Sequence, residues 1–259
     1  MDALIGYSGF VGSTLLKQRS FSFLYRSINI DEICGKEFDV VVCAGAPAQK
    51  WLANQHPQDD LDKINSLIDK LSKIKCRKFI LISTVDVFKK PIGVDENSKV
   101  QEEGLHPYGL HRRYLEKFVE SHFEGALIVR LPGLVGPGLR KNIIYDFHNN
   151  NNITQIESRG VFQFYPMINL WYDIDIAVKN NLKLLHLSAE PVSVAEVAKE
   201  AFNLDFKNHI TESPGHYDMK SLHSALFSGG SAYQYSKRET LMAIRAYAQS
   251  ELKRNGVDS

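Results

Sequence analysis

In 259 residues, 31 lysines and arginines stand against 30 aspartates and glutamates, so no global field selects nucleic acid or an anionic membrane, and any phosphate binding has to be local. A hydrophobic share of 44% over this length supports one large core, or a main domain with a smaller appendage. The apolar runs fall far short of the ~20 residues of a membrane span, there is no basic-then-apolar leader, and Cys34, Cys43 and Cys76 match neither zinc nor disulfide spacing; the chain reads as cytoplasmic, metal-free, with its cysteines as small core residues.

The chain opens on an apolar run, Ala3-Leu4-Ile5, that meets Gly6-Tyr7-Ser8-Gly9-Phe10-Val11-Gly12 and continues into the helix-compatible Ser13-Thr14-Leu15-Leu16-Lys17-Gln18. Strand, glycine turn and helix in this order suit a dinucleotide. One glycine makes the turn, one admits the pyrophosphate to the backbone, and one lets helix and strand pack closely. The spacing is GxxGxxG, and a glycine turn without a ligand is the alternative it leaves open.

Phe21 to Tyr25 predicts a second strand, ending in Arg26-Ser27 where adenosine ribose specificity is decided. An arginine there pairs with a 2′-phosphate and favours NADP; a solvated surface arginine is the plain reading. Thirteen residues separate Arg26 from the next strand at Val40-Val41-Val42-Cys43, which predicts a trimmed crossover with a short turn around Asp31-Glu32-Ile33. Ala44-Gly45-Ala46-Pro47 closes that strand with residues small enough for backbone to pass close to a cofactor, or for a simple turn.

Apolar positions Leu61, Ile64, Leu67, Ile68, Leu71 and Ile74 predict an amphipathic helix over 59–75. Lys78 to Ile82 reads as a buried strand that runs into Ser83-Thr84-Val85-Asp86-Val87-Phe88. Those hydroxyls stand at a strand's carboxyl end, where open α/β sheets bind ligands and where helix capping also uses them. Residues 89–106 read as a loop, and Pro107 starts a helix with apolar and basic faces on which Tyr108 and Arg112 share one side. Ala126 to Leu131 predicts another strand before the rigid segment Pro132-Gly133-Leu134-Val135-Gly136-Pro137-Gly138. Beyond it, the asparagine run 149–152 reads as a loop tip, Ser228-Gly229-Gly230-Ser231 as a turn, and Tyr233 and Tyr235 as packing residues. Helices follow from Val194 to Phe202 and around Leu241 to Leu252.

Several of these segments, in order, carry a resemblance. GYSGFVG resembles a GxxGxxG fingerprint, Ser83 to Phe88 an S-[ST]-x-x-V-Y element, Tyr108 with Arg112 a Y-x-x-x-K pair, and Arg130 to Gly138 an R-P-x-x-V-Y-G-P-G segment. Asn65 lies where an N-V-x-G-T helix is found, Leu170 to Ala177 resembles V-x-D-x-A, and Leu187 to Val194 an E-P-V-S turn. Over roughly residues 1–200 the chain thus resembles an extended short-chain dehydrogenase/reductase, of the branch with nucleotide-sugar epimerases, dehydratases and 4-keto-sugar reductases.

The resemblance implies an α/β fold: a Rossmann-type doubly wound parallel sheet at 1–138, and a small, mainly helical substrate region at 139–259 partly interleaved with it. It implies an oxidoreductase or epimerase acting on a carbonyl or hydroxyl of a nucleotide-linked sugar, with NADP, or NAD, as cofactor. Tyr108 would be the general acid/base, Thr84 its hydrogen-bonding partner and Arg112 the charge that tunes it. Gly6, Gly9, Phe10, Val11 and Gly12 would bind pyrophosphate, Arg26 and Ser27 the adenosine end, and Ala44, Gly45, Ala46, Ser83 and Pro132 the rest of the cofactor. Asp86, Arg140 and Asn142 would face substrate. Helices at about 59–75 and 108–122 would form a homodimer.

Two departures stand out. The chain is short for the family, and the family's lysine is Arg112 here. Moving a tyrosine from pKa ~10 to ~7 needs roughly 4 kcal/mol, and one cation at ~5 Å with an effective dielectric of ~20 supplies about 3. Arginine provides the charge but not the geometry of an ammonium. A cofactor-binding sensor or assembly protein without turnover is therefore the rival reading.

Overall fold

The computed structural model describes residues 1–227, 230 and 232–253; Ser228, Gly229 and Ser231 of the expected turn lie outside the described residues. In chain order the elements are β1 (Asp2–Ile5), α1 (Phe10–Gln18), β2 (Phe23–Tyr25), β3 (Glu37–Cys43), α2 (Lys50–Gln55), α3 (Pro57–Leu71), β4 (Lys75–Thr84), β5 (Ile92–Val94) and α4 (Pro107–His122). There follow β6 (Leu127–Leu131), β7 (Gly133–Val135), α5 (Ile143–Asn149), β8 (Val161–Phe162), β9 (Phe164–Pro166), α6 (Leu170–Lys179), β10 (Leu184–His186), β11 (Val192–Ser193), α7 (Val194–Phe202), β12 (Asp218–Met219) and α8 (Lys237–Ser250).

The chain divides into two units. The first comprises Met1–Lys89, Glu96–Leu131 and Leu170–His186. Its sheet has six strands in the order β10-β6-β4-β3-β1-β2, every neighbouring pair parallel. Strands buried on both faces need apolar residues throughout, which is why β6 reads Leu-Ile-Val-Arg-Leu and is buried along its whole length. Ile64, Leu67 and Leu71 of α3 and Leu115 and Val119 of α4 pack with Val41, Phe79, Leu81 and Ile128 of the sheet. Each such side chain contributes about 1.5–3 kcal/mol of burial.

The crossover from β2 to β3 holds only a short 3-10 turn, Ile30–Ile33, whose Ile33 is fully buried, as the short spacing predicted. Because β1 lies between β2 and β3, the strand order reverses there, and the carboxyl ends of β1 and β3 flank the switch point where open sheets take ligands. The helix expected over 59–75 stops at Leu71, because Lys75 to Lys78 are taken into β4 by pairing with Glu37 to Val40 of β3. The short elements α2, β5 and β7 and the helix α6 were not expected as such, although Leu170, Ile174 and Ala177 of α6 are buried at helical spacing.

The second unit comprises Lys90–Asp95, Pro132–Asn169 and Leu187–Ser259. Residues 132–138 thus belong with it, whereas Leu170–His186 returns to the first unit to supply α6 and the last sheet strand, so the division interleaves rather than falling at 138. The unit contains α5, α7 and α8 with three two-stranded pairs, β7 with β9, β8 with β11 and β5 with β12. Capping boxes open α7 (Ser193, Glu196) and α8 (Ser236, Glu239). Asn150 and Asn152, in the asparagine run, adopt the left-handed conformation of a loop tip. Tyr235 packs edge-on against Tyr165, and the Tyr233 hydroxyl donates to Asp218 at 2.5 Å.

Candidate active site

The glycine turn is built by close approach. Gly6 has φ +84°, and a Cβ there would lie 2.4 Å from the Ala44 carbonyl oxygen; a Cβ on Gly12 would lie 2.1 Å from the Gly6 carbonyl oxygen. Both positions therefore exclude any side chain, and they bring the start of α1 against the ends of β1 and β3. Gly9 is the N-cap of α1, with no side chain capping it. The amides of the first turn, including Phe10, Val11 and Gly12, have no intrahelical acceptor and face the positive end of the helix dipole. An anion is the ordinary complement of such an end, and the cradle fits a dinucleotide pyrophosphate.

The Gly6 amide donates to the Tyr25 carbonyl at 2.7 Å, which sets the end of β2 beside the turn. Arg26 follows immediately, exposed, with its guanidinium 5.8 Å from the Tyr7 ring centre, and Ser27 is exposed next to it. On the other side Ala44, Gly45 and Ala46 leave β3, and a Cβ on Gly45 would meet Ile5 at 2.9 Å. The small residues at 44–46 are thus packed against β1.

Thr84 ends β4 and Tyr108 opens α4. Thr84 Oγ1 accepts from the Asp86 amide at 3.2 Å, which leaves its proton to give, and the hydroxyl lies close enough to Tyr108 to favour the ionised form of its phenol. Two further contacts seat the tyrosine. Its backbone amide donates to Asn54 Oδ1 of α2 at 3.0 Å. The next residue, Gly109, lies so close to the Asp86 carbonyl that a Cβ would stand 2.1 Å from it. His106 caps the helix, accepting from the Gly109 amide at 3.0 Å. Burial pushes the Tyr108 hydroxyl above the ordinary tyrosine range and outweighs the opposing charge of Arg112 and the Thr84 hydrogen bond. Burial, with Lys50 nearby, also pushes His106 down.

Arg112 does share a face with Tyr108, but it is no solvated cation. It is 3% exposed, with its guanidinium 4.2 Å from the Tyr108 ring centre. Nη1 donates to Asp60 Oδ2 at 2.5 Å, Nη2 to Asp60 Oδ1 at 3.0 Å and to the Pro47 carbonyl, while Nε is buried without a partner. His111 Nδ1 lies 2.8 Å from the same carboxylate. Burial alone would raise Asp60, but the hydrogen bonds from Arg112 and His111 outweigh it and hold the carboxyl below its usual value. His111 and Arg112 of the basic face expected on α4 are therefore folded inward onto Asp60 of α3, which the sequence reading did not single out. Lys50, also missed, donates to Asp86 Oδ1 at 2.7 Å.

Ser83 points elsewhere than Thr84. Its hydroxyl donates to Glu116 Oε1 at 2.6 Å, and the fully buried Glu116 carboxylate also takes Arg130 at 2.7 and 2.9 Å and Arg113 at 2.9 Å. In the second unit Pro132 is buried and Arg140 exposed. The Asn142 side chain is committed to its own chain: Oδ1 accepts from the Ile144 and Tyr145 amides and Nδ2 donates to the Leu134 carbonyl.

No protein-family model matches the sequence, and no curated protein sequence matches it. Solved structures do match across nearly the whole chain. A dTDP-4-dehydrorhamnose reductase from Clostridium acetobutylicum superposes with a TM-score of 0.72 at 16% identity, over 96% of this chain and 99% of that one. RMD from Pseudomonas aeruginosa, complexed with NADPH, gives 0.70 at 14% identity, over 97% and 99%. The UDP-glucuronic acid 4-epimerase from Bacillus cereus, in complex with UDP-glucuronic acid and NAD, gives 0.69 at 18% identity, over 96% and 99%. Read with the sheet order and the glycine turn, these likenesses show that the chain has a Rossmann-type α/β fold, the fold of these reductase and epimerase structures.

Proposed function

We propose that the chain is a dinucleotide-dependent reductase acting on a carbonyl of a nucleotide-linked sugar, with Tyr108 as the proton donor. The observation that carries this reading is the Thr84–Tyr108 hydroxyl pair in the same unit as a side-chain-free glycine turn at an uncapped helix end. A bound nicotinamide dinucleotide would supply the hydride equivalent. Gly6, Gly9, Phe10, Val11 and Gly12 would hold its pyrophosphate, Ala44 to Ala46 the span beyond, and Arg26 with Ser27 the adenosine end. Exposed Arg26 beside the turn favours a 2′-phosphate and hence NADP, with NAD as the weaker ligand.

Reduction and epimerisation by transient oxidation use the same parts, and the reductive direction is the one in which Tyr108 gives its proton first. A hydroxyl held above the ordinary tyrosine range is protonated at neutral pH and ready to donate to a substrate oxygen, with Thr84 bonding the same region. Epimerisation by transient oxidation asks the same group to begin as a base. Like the fold relatives complexed with UDP-glucuronic acid or named for a dTDP-sugar, the chain would take a nucleotide-linked sugar. Asp86 and Arg140 remain candidates to face it, and Asn142 the weakest because of its capping bonds.

A second reading is favoured by the Arg112–Asp60 pairing. With the cation closed on a carboxylate, the tyrosine is less activated than in the scheme of a free tuning charge, and a cofactor-binding sensor without turnover needs no activation. Titration with NADPH and NADH by nucleotide fluorescence, followed by a panel of nucleotide 4-keto sugars, separates the readings. Tighter NADPH binding with substrate-dependent loss of the reduced nicotinamide's absorbance supports the reductase. Binding without turnover supports the sensor, and binding of neither cofactor sinks both.

A further inference from the structure

We infer that Lys50 is a positioning residue for Tyr108, holding the solvent-exchangeable positive charge through which the tyrosine is returned to its protonated form. This rests on the reading of Tyr108 as proton donor. After Tyr108 gives its proton to a substrate oxygen, a buried phenolate remains, and it has to regain a proton before the next turnover. Arg112 is unsuited to that task. It is almost wholly buried, pinned by Asp60 and the Pro47 carbonyl, and a guanidinium does not release its proton at accessible pH.

Helix α2 supplies the alternative. Lys50 and Asn54 are four residues apart and so share one side of that helix. Asn54 holds the Tyr108 amide at 3.0 Å, which sets that side against the first turn of α4. Lys50 reaches Asp86 at 2.7 Å, and Asp86 in turn is fixed by its amide on Thr84 and its carbonyl against Gly109. The lysine side chain is 39% exposed and that of Asp86 17%, so the pair spans from the tyrosine's surroundings to solvent. The charged groups around the tyrosine are Arg112 and His106 on or before α4, Lys50 on α2 and Asp86 after β4, with Asp60 of α3 behind Arg112. Of the cations among them, Lys50 combines exposure with an exchangeable proton. In the step inferred, the Lys50 ammonium gives one proton to the Tyr108 phenolate by way of water, leaving a neutral amine and a neutral phenol, and the amine takes a proton from bulk water.

The test uses full-length protein labelled with [13Cζ]tyrosine, the Tyr108 resonance being assigned by its loss in Y108F and followed from about pH 8 into strong alkali at about pH 12.5. Replacing Lys50 by Met should move the Tyr108 titration upward by about half a unit or more, and K50R should leave it near wild type. This readout needs neither cofactor nor substrate, so it stands if the proposed reductase activity fails. A Tyr108 curve that K50M leaves unmoved overturns the inference. With any nucleotide 4-keto sugar that proves to be turned over, K50M should lower kcat about tenfold with NADPH affinity retained, and K50R should restore less than half because arginine keeps charge but not exchange. Equal kcat in K50M and wild type overturns the exchange step.

Discussion

Replacing Asp60 by Asn tests the account of Arg112 most directly. In the native protein the carboxylate, 4% exposed, takes two bonds from Arg112 and stands 2.8 Å from His111. The asparagine is almost the same size, so packing survives and the change is electrostatic. Stranding a buried charge costs about 3–5 kcal/mol; the Pro47 carbonyl and the asparagine oxygen still serve the guanidinium, which argues for the lower end, about 3. With a urea slope of ~2–3 kcal/mol/M, the midpoint at pH 7 should fall by about 1 M.

The pH dependence of that difference fixes its origin. The folded Asp60 is held below its ordinary value, so its contribution is fully present above the unfolded value of ~3.9 and is lost as pH falls through the folded one. Wild type and D60N should therefore converge in strong acid. At the same time the freed guanidinium, worth at most about 3 kcal/mol at ~5 Å with an effective dielectric of ~20, should make Tyr108 more acidic. A D60N midpoint within about 0.2 M of wild type at pH 7, or a gap that persists into strong acid, would refute the reasoning.

Other substitutions probe the remaining parts. G12A drives a Cβ to 2.1 Å from the Gly6 carbonyl oxygen, and nucleotide fluorescence should show cofactor affinity lowered by about 100-fold. Arg26→Ala should weaken NADPH by about tenfold and leave NADH within twofold, so equal losses for both would remove Arg26 as the 2′-phosphate reader. Because Tyr108 is held above the ordinary range, ketone reduction should run undiminished through neutral pH while alcohol oxidation appears only in alkali; comparing the two pH profiles checks the sign. E116Q leaves Arg130 facing a neutral partner in a fully buried site, and a cost of about 3 kcal/mol should lower the thermal midpoint by roughly 6–12 °C.

What was legible in the sequence is what backbone geometry and burial dictate locally. Gly6 and Gly12 announced themselves because no side chain fits there, and the short segment after Arg26 left room for one turn and nothing longer. Apolar runs gave β3, β4 and β6 because strands buried on both faces tolerate little else. Asp60, Lys50 and Glu116 were not legible, since charged residues on amphipathic helices ordinarily meet water, and the pairings Lys50–Asp86 and Asp60–Arg112 join positions 36 and 52 residues apart. Gly109 was passed over for the same reason: its need for a bare α-carbon comes from the Asp86 carbonyl, which only the tertiary fold brings to it.

The placement of charge along α4 explains how a buried tyrosine can be both rigid and adjustable. Tyr108, Arg112 and Glu116 follow one another at four-residue intervals and all turn inward, so the helix presents one polar stripe to the protein interior. Arg112 is locked to Asp60, and Glu116 to Arg113 and Arg130. Such closed pairs add little net stability over an apolar interface, but they penalise any rotation or slide of the helix that would leave a charge unpaired. They thereby fix the tyrosine relative to Thr84 on β4. The Lys50–Asp86 pair differs in being partly open to solvent, so its geometry adjusts at little cost. On the role inferred for Lys50, rigidity and proton exchange fall to different ion pairs, the buried one at Arg112 and the partly open one at Lys50.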